Sequence, residues 1–224
     1  MSNLIIFDFD GVVADSEGHA NSVLAEIITE LGVPMTLEDA YLQFMGKPFP
    51  DVISRVKEIV GENRPEDFAQ YFQDRLLSRF RRDLQPVPGV NDYIAAFNHL
   101  PMCIASNSSH DRLKVCLEVL RLQKIFGKNV FSASDVVKAK PHPDLFLHAA
   151  KQMDTDPSRT IVIEDSASGV TAAVAAGMKV IGLLAGSHIQ SRHEQELLVA
   201  GANYVVNTFA EAKDYTNEIQ ASWV

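Results

Sequence analysis

Five short apolar segments recur along the chain, and most of them are separated by stretches in which apolar residues have a helical spacing. The segments are Leu4–Phe9, Met102–Ala105, Thr160–Ile163, Val180–Leu184 and Tyr204–Val206. Continuous apolar runs of this length are typical of parallel strands that helices cover on both faces. The alternation of strand and helix therefore predicts an α/β fold with a doubly wound, Rossmann-like parallel sheet.

Local sequence signals predict several helix boundaries. Residues 36–39 and 108–111 have the spacing of capping boxes, in which a side chain satisfies free N–H groups at a helix start. A proline opens the predicted helix 65–80, since proline suits the first turn. Gly177 is expected to end the helix over 167–176, because glycine readily adopts the left-handed conformation found after helices.

Residues 16–85 break this alternation, with several helical patterns in succession and no strand pattern. We predict an all-helical domain over 16–85, inserted into an α/β core formed by 1–15 and 86–224. The chain returns to the core through Gln85-Pro86-Val87-Pro88-Gly89, which two prolines make a stiff joint.

Composition narrows the functional classes. The 224 residues are 46% hydrophobic and carry a net charge of −9, which argues against a nucleic-acid surface. No apolar run approaches the ~20 residues of a membrane span, and no secretory signal is visible, so we expect a cytoplasmic protein. Cys103 and Cys116 are too few for a disulfide framework and are expected to be reduced, buried side chains.

Polar residues follow the predicted strands at the edge where a doubly wound sheet binds its ligands. Asp8 and Asp10 stand two apart at the end of the first strand, so the pleat sends both carboxylates to one side. One of them can act as a nucleophile on phosphorus while the other exchanges a proton with the leaving oxygen and the attacking water.

A third acid, Asp165, with its neighbour Glu164, follows a later strand and predicts a metal site. Acids gathered at one edge repel one another unless a hard divalent cation lies between them. We therefore expect Mg²⁺, because His142 and His148 have no companions in a zinc-ligand pattern.

An anion site is predicted at the same edge. Ser106 supplies a hydroxyl, and the backbone amides around Asn107 lie at the start of a helix, where the dipole favours negative charge. Lys140, in the loop after Val130-Phe131, adds a positive charge. These groups suit a phosphoryl group.

Taken together, these motifs resemble those of the haloacid dehalogenase-like hydrolase superfamily, in the phosphatase and β-phosphoglucomutase-like branch with a helical cap inserted after the first strand. The matching segments are Asp8-Phe9-Asp10-Gly11, Ser106-Asn107, Lys140-Pro141 and Ile163-Glu164-Asp165-Ser166. The resemblance covers nearly the whole chain. It implies that the inserted helical domain is the cap and the α/β part the catalytic core.

The resemblance also implies a role for each residue. Asp8 would be the nucleophile and Asp10 the acid and base, as the spacing also suggests. Mg²⁺ would be held by Asp8, the backbone carbonyl of Asp10 and Asp165, with Glu164 close by. The transferring phosphoryl group would be bound by Ser106, Asn107 and Lys140.

Several activities share this scaffold. Dehalogenases lack the second acid, because a halide leaves without a proton, so Asp10 argues against them. Phosphonatases use a cap lysine, for which Lys47 and Lys57 are weak candidates. Mutases of this type carry a histidine shortly after Asp15-Ser16 and an arginine in the cap loop, but His19 falls one place early and that loop has no arginine.

These departures favour hydrolysis of a small phosphate monoester. Two segments, Met102-Cys103-Ile104-Ala105-Ser106-Asn107 and Phe146-Leu147-His148-Ala149-Ala150-Lys151, also resemble those of bacterial sugar-phosphate phosphatases, including the 6-phosphogluconate type. This resemblance implies a sugar phosphate as the substrate. A β-phosphoglucomutase-like mutase stays open as an alternative, and a receiver-like phosphoryl-binding module is the non-enzymatic one. Receivers are shorter and carry no helical insert. Lys47, in a loop between cap helices, could recognise a second anionic group of the substrate.

The expected partner is a small phosphorylated metabolite. A membrane or a nucleic acid is not expected, since the chain lacks both a long apolar run and a basic cluster. We expect a monomer or a weak dimer.

Overall fold

The computed structural model describes residues 3–47 and 49–223. They divide into two compact units: an α/β unit made of residues 3–15 and 85–223, and a helical unit, Ser16–Leu84. Among the described residues, no helix combines the length and apolar character needed to span a bilayer.

The α/β unit contains a parallel sheet of six strands within the described residues, in the order β3-β2-β1-β4-β5-β6. The strands are β1 Leu4–Phe7, β2 Met102–Ser106, β3 Val130–Ser132, β4 Thr160–Glu164, β5 Lys179–Leu183 and β6 Tyr204–Val206. The predicted doubly wound α/β fold is confirmed. The sequence pattern missed β3 as a strand, since three residues are too short to show a period.

Helices connect the strands of the α/β unit and cover the sheet. They are α5 Val90–Ala96, α6 His110–Val119, α7 Gln123–Phe126, α8 Asp144–Gln152, α9 Ala167–Ala175, α10 His193–Ala200 and α11 Phe209–Ala221. All four residues of β1 are fully buried, as expected for a central strand covered on both faces. The Phe7 ring makes edge contacts with Tyr93 and Phe126 at 5.8 Å between ring centres.

The helical unit consists of α1 Glu17–Glu30, α2 Leu37–Phe44, α3 Phe49–Val60 and α4 Phe68–Asp83, with a short 3-10 turn, Gly61–Asn63. The Thr36 hydroxyl accepts the Asp39 N–H and the Asp39 carboxylate accepts the Thr36 N–H, which confirms the predicted capping box of α2. Arg79 bonds both carboxylate oxygens of Glu26, which joins α4 to α1.

Two predicted helix starts are displaced. The last helix of the helical unit begins at Phe68 rather than at Pro65, because the Asp67 carboxylate accepts the Gln70 N–H at 3.1 Å and caps it there. The cap of α6 is Ser109 rather than Ser108, and no capping box forms. The Ser108 hydroxyl instead donates to the Asp10 carboxylate.

The chain leaves and re-enters the α/β unit through two paired segments. The Asp15 N–H donates to the Gln85 carbonyl, and the Val87 N–H donates to the Val13 carbonyl, both at 3.0 Å. Ala14 and Pro86 form an antiparallel bridge between these bonds. The predicted joint therefore has a fixed base on the α/β side.

Candidate active site

The sheet register brings three predicted segments to one edge. Phe7 of β1 lies beside Ile104 of β2 on one side and Ile163 of β4 on the other. Because all three strands are parallel, the residues that follow these positions emerge side by side. Asp8 extends the pairing by one bond, since its N–H donates to the Ile163 carbonyl at 2.9 Å.

Lys140 lies at the centre of the site. Its ammonium group donates to Asp8 Oδ1 at 2.5 Å and to Glu164 Oε1 at 2.9 Å, and only 2% of its side chain is exposed. The Phe146 ring lies 4.6 Å below the ammonium. Burial opposes a charge on Lys140, but the carboxylates of Asp8 and Glu164 outweigh it and raise the lysine pKa above its usual value.

Asn107 holds the backbone of Lys140. The Asn107 side-chain oxygen accepts the Lys140 N–H at 3.2 Å, and its amide group donates to the Lys140 carbonyl at 3.3 Å. The buried Ser106 hydroxyl accepts the Ser108 N–H at 3.1 Å, which shapes the turn before α6. The Asn107 side chain therefore positions the backbone of Lys140.

Three buried acids form a cluster beside the lysine. Carboxylate oxygens of Asp8, Glu164 and Asp165 lie within 4.8 Å of one another. Burial raises the pKa of Asp8 well above its usual value, and the charges of Glu164 and Asp165 raise it further, although Lys140 acts in the opposite direction. Buried carboxylate oxygens at this density suit a hard divalent cation such as Mg²⁺, which would compensate their charge.

Two glycines allow these acids to approach the backbone closely. A Cβ atom at Gly11, where φ is +83°, would lie 1.9 Å from Asp165 Oδ2. A Cβ atom at Gly169, in α9, would lie 1.6 Å from Glu164 Oε1. Neither position can carry a side chain unless the acid moves away.

Asp10 is held by a different pair of residues. Arg112 Nη2 lies 2.5 Å from Asp10 Oδ1, and the Ser108 hydroxyl donates to Asp10 Oδ2 at 2.5 Å. Arg112 lies outside the sequence motifs that predicted the site. A cation in the first turn of a helix is unfavourable with respect to the helix dipole, so its position in α6 was the available signal for a nearby anion.

His188 is a second residue that lies outside those sequence motifs. It follows β5, is buried, and its Nε2 atom lies 3.0 Å from Asp165 Oδ2. A ring nitrogen at this distance orients the carboxylate that it faces.

Lys47, the predicted specificity residue, belongs to the helical unit. It is exposed, and its N–H donates to the Phe44 carbonyl at 3.1 Å in the turn that follows α2. Its role stays a prediction.

Comparison with known proteins identifies relatives along most of the chain. A model of the haloacid dehalogenase-like hydrolase family matches residues 5–183. A 6-phosphogluconate phosphatase of Escherichia coli strain K12 is 27% identical over 185 residues, which cover 82% of this chain and 83% of that protein.

Solved structures give the same result for the fold. A conserved haloacid dehalogenase-like protein from Agrobacterium tumefaciens is 34% identical with a TM-score of 0.84, and the match covers 100% of both chains. A family hydrolase from Deinococcus radiodurans, with bound phosphate and sodium, is 30% identical with a TM-score of 0.82, covering 98% of this chain and 96% of that one.

Proposed function

Because the chain belongs to the haloacid dehalogenase-like hydrolases, we propose that it is a Mg²⁺-dependent phosphatase that acts on a small phosphate monoester through an aspartyl phosphate at Asp8. The expectation of a hydrolase is itself confirmed by this membership. The observation that carries the proposal is that two neighbouring carboxylates have different partners: Asp8 is paired with Lys140, whereas Asp10 is held by Ser108 and Arg112. Such a pair can divide the roles of nucleophile and proton carrier.

In the first half of the proposed reaction, an Asp8 carboxylate oxygen attacks phosphorus and the bond to the leaving oxygen breaks. Asp10 gives its proton to that oxygen, so the product leaves as an alcohol. Lys140, whose ammonium lies beside Asp8, stabilises the negative charge on the transferring phosphoryl group. Backbone N–H groups of the turn after Ser106 add donors at the start of α6.

In the second half, the Asp10 carboxylate takes a proton from water while the water oxygen attacks phosphorus. The bond from phosphorus to Asp8 breaks, inorganic phosphate leaves, and both acids return to their starting forms. Asp8, Asp165 and the backbone carbonyl of Asp10 would hold Mg²⁺, with Glu164 close by. Mg²⁺ would neutralise charge on the phosphoryl oxygens.

A sugar phosphate is the substrate class that we propose. The E. coli relative, named as a 6-phosphogluconate phosphatase, acts on a substrate of this class. Asp8, Ser106 and Lys140 would contact only the phosphoryl group, which every candidate substrate shares. The helical cap would therefore select the remainder of the molecule, and the exposed cation of Lys47 would recognise a carboxylate on it.

The direct test is phosphate release from p-nitrophenyl phosphate and a panel of sugar phosphates, with Mg²⁺ and with EDTA. Asp8→Asn should abolish turnover and the labelling of the protein by phosphate, and Asp10→Asn should lower turnover by roughly 10²–10⁴-fold. Asp111→Asn, an exposed acid in α6, is the matched control. A wild-type protein without turnover on the whole panel would refute the proposal, as would full activity in Asp8→Asn.

The same panel tests the mutase alternative and Lys47. A mutase would form an isomeric sugar phosphate, whereas a phosphatase accumulates inorganic phosphate. Lys47→Ala should lower kcat/KM roughly tenfold for sugar phosphates with a carboxylate and leave neutral ones unchanged, the scale of one ion pair. Lys57→Ala, exposed in the same unit, is the control. An unchanged preference in Lys47→Ala would remove Lys47 from the site.

A further inference from the structure

The Asp10 carboxylate is held at both of its oxygens. Arg112 Nη2 contacts Oδ1 and the Ser108 hydroxyl contacts Oδ2, each at 2.5 Å. The side chains of Arg112 and Asp10 are only 16% and 14% exposed, so the pair is largely shielded from solvent. One contact alone would allow the carboxylate to rotate about its bond to Cβ, whereas two contacts fix its plane.

Both holding residues are fixed by the start of α6. The Ser108 N–H donates to the Ser106 hydroxyl at 3.1 Å, and the Ser108 carbonyl accepts the Ser132 hydroxyl at 2.7 Å. The Arg112 N–H donates to the Ser109 hydroxyl that caps the helix. The hold on Asp10 therefore comes from a rigid turn that is anchored to β2 and β3.

The position of Arg112 has a cost that Asp10 offsets. The first turn of a helix presents partial positive charge, so a cation there is unfavourable unless an anion faces it. The exposed Lys114, two residues further along α6, is free of such a constraint. The position of Arg112 is therefore explained by its ion pair with Asp10 and not by a favourable interaction with the helix dipole.

We propose that Arg112, together with Ser108, is a positioning residue that aims the Asp10 carboxylate at the leaving oxygen and at the attacking water. The proposal rests on the role proposed for Asp10 in phosphate-ester hydrolysis. A carboxylate has about four acceptor positions, so contacts with Arg112 and Ser108 are compatible with proton exchange between Asp10 and a bound substrate or water. Arg112 acts through Asp10 and needs no contact with the reacting atoms.

Substrates with different leaving groups distinguish a positioning role of Arg112 from a general loss of activity. A sugar alkoxide needs a proton as it departs, whereas p-nitrophenolate is stable without one. The attack of water on the aspartyl phosphate is common to both substrates, so the comparison uses kcat/KM, which reports the steps up to departure of the leaving group. A misaligned Asp10 should therefore lower kcat/KM more for the sugar phosphate than for p-nitrophenyl phosphate. We expect Arg112→Gln to lower kcat/KM for the best sugar phosphate by roughly 10–100-fold, the scale of a 1 Å misplacement, and for p-nitrophenyl phosphate by less than about threefold.

Companion variants make the result specific. Arg112→Lys keeps the charge but loses the planar fork, so it should recover only part of the sugar-phosphate rate. Ser108→Ala removes the other contact and should show the same dependence on the leaving group, which tests the proposal even if Arg112→Gln fails to fold. Lys114→Gln, exposed in the same helix, should leave both rates unchanged.

The Asp10→Asn variant shows whether this inference or the proposed function is at fault. Suppose that wild-type activity and the leaving-group dependence of Asp10→Asn are as expected. If Arg112→Gln and Ser108→Ala then lower kcat/KM equally for both substrates, or for neither, only the positioning role is wrong. If Asp10→Asn shows no dependence on the leaving group, the proposed proton transfer itself is wrong. Adding Arg112→Gln to Asp10→Asn should cost nothing further, because the two residues act as one unit.

Discussion

Removing the charge of Lys140 should destabilise the protein as well as inactivate it. Lys140→Met keeps an unbranched apolar side chain, one atom shorter, but leaves Asp8 and Glu164 without the ammonium that joins them. Both acids are buried, so water cannot replace the lost partner. The variant therefore isolates the interaction of one cation with a buried acid cluster.

The magnitude follows from this burial. Breaking a buried ion pair by removing one partner costs about 3–5 kcal/mol, because the other charge is left uncompensated. A chain of this size loses about 2–4 °C of melting temperature per kcal/mol, so Lys140→Met should melt about 6–20 °C below the wild type. Lys138→Met, at an exposed position two residues earlier, should melt within about 2 °C of it.

The difference in stability between Lys140→Met and the wild type should depend on pH. Burial raises the pKa of Asp8 well above its usual value, and Lys140 is the group that lowers it. An acid whose pKa is raised on folding destabilises the folded state while it is ionised, and this cost disappears as falling pH protonates it. Without Lys140 the pKa of Asp8 rises further, so the loss of stability should be largest at alkaline pH, where Asp8 is ionised, and should shrink as the pH falls and Asp8 is protonated.

The assay is urea unfolding followed by circular dichroism from acidic to alkaline pH, in EDTA so that no divalent cation replaces the lost charge. Each variant is compared with the wild type at the same pH. Two results would refute the reasoning: a Lys140→Met variant as stable as the wild type at alkaline pH, or a difference that grows as the pH falls.

Two further substitutions test how the acids are held. Gly169→Ala should lower both the melting temperature and turnover, because the new Cβ would lie 1.6 Å from Glu164 Oε1. Alanine favours a helix over glycine by about 1 kcal/mol, so a variant that is more stable and fully active would contradict this prediction. His188→Ala should weaken Mg²⁺ activation by roughly 10–100-fold, because the Asp165 carboxylate loses the ring nitrogen that orients it. The assay measures turnover against Mg²⁺ concentration, and an unchanged curve would show that His188 does not orient Asp165.

The α/β fold could be predicted from the chain because central parallel strands are buried on both faces. The four residues of β1 are fully buried, and such a strand has an apolar pattern that survives without any tertiary information. The capping box at Thr36 could be predicted for a similar reason, since its partners are three residues apart. The short edge strand β3 could not, because three residues show no period.

The residue types of the candidate site were also visible at the strand ends, since a doubly wound sheet places ligands there. Asp8, Glu164 and Lys140 were all singled out on that ground. The contacts between these side chains could not be predicted from the sequence as their residue types could. Lys138 and Lys140 occur in the same loop, yet one is exposed and the other is buried against two carboxylates.

Tertiary structure alone decided those contacts, because they join residues far apart in the chain. Arg112 and Asp10 are separated by 102 positions and Lys140 and Asp8 by 132, so no local pattern relates them. The order of strands in the sheet brings them to one edge, where burial strengthens each charge interaction. The amino-acid sequence shows which chemical groups are available and near which strand ends they lie, whereas packing determines which of them meet without water between them.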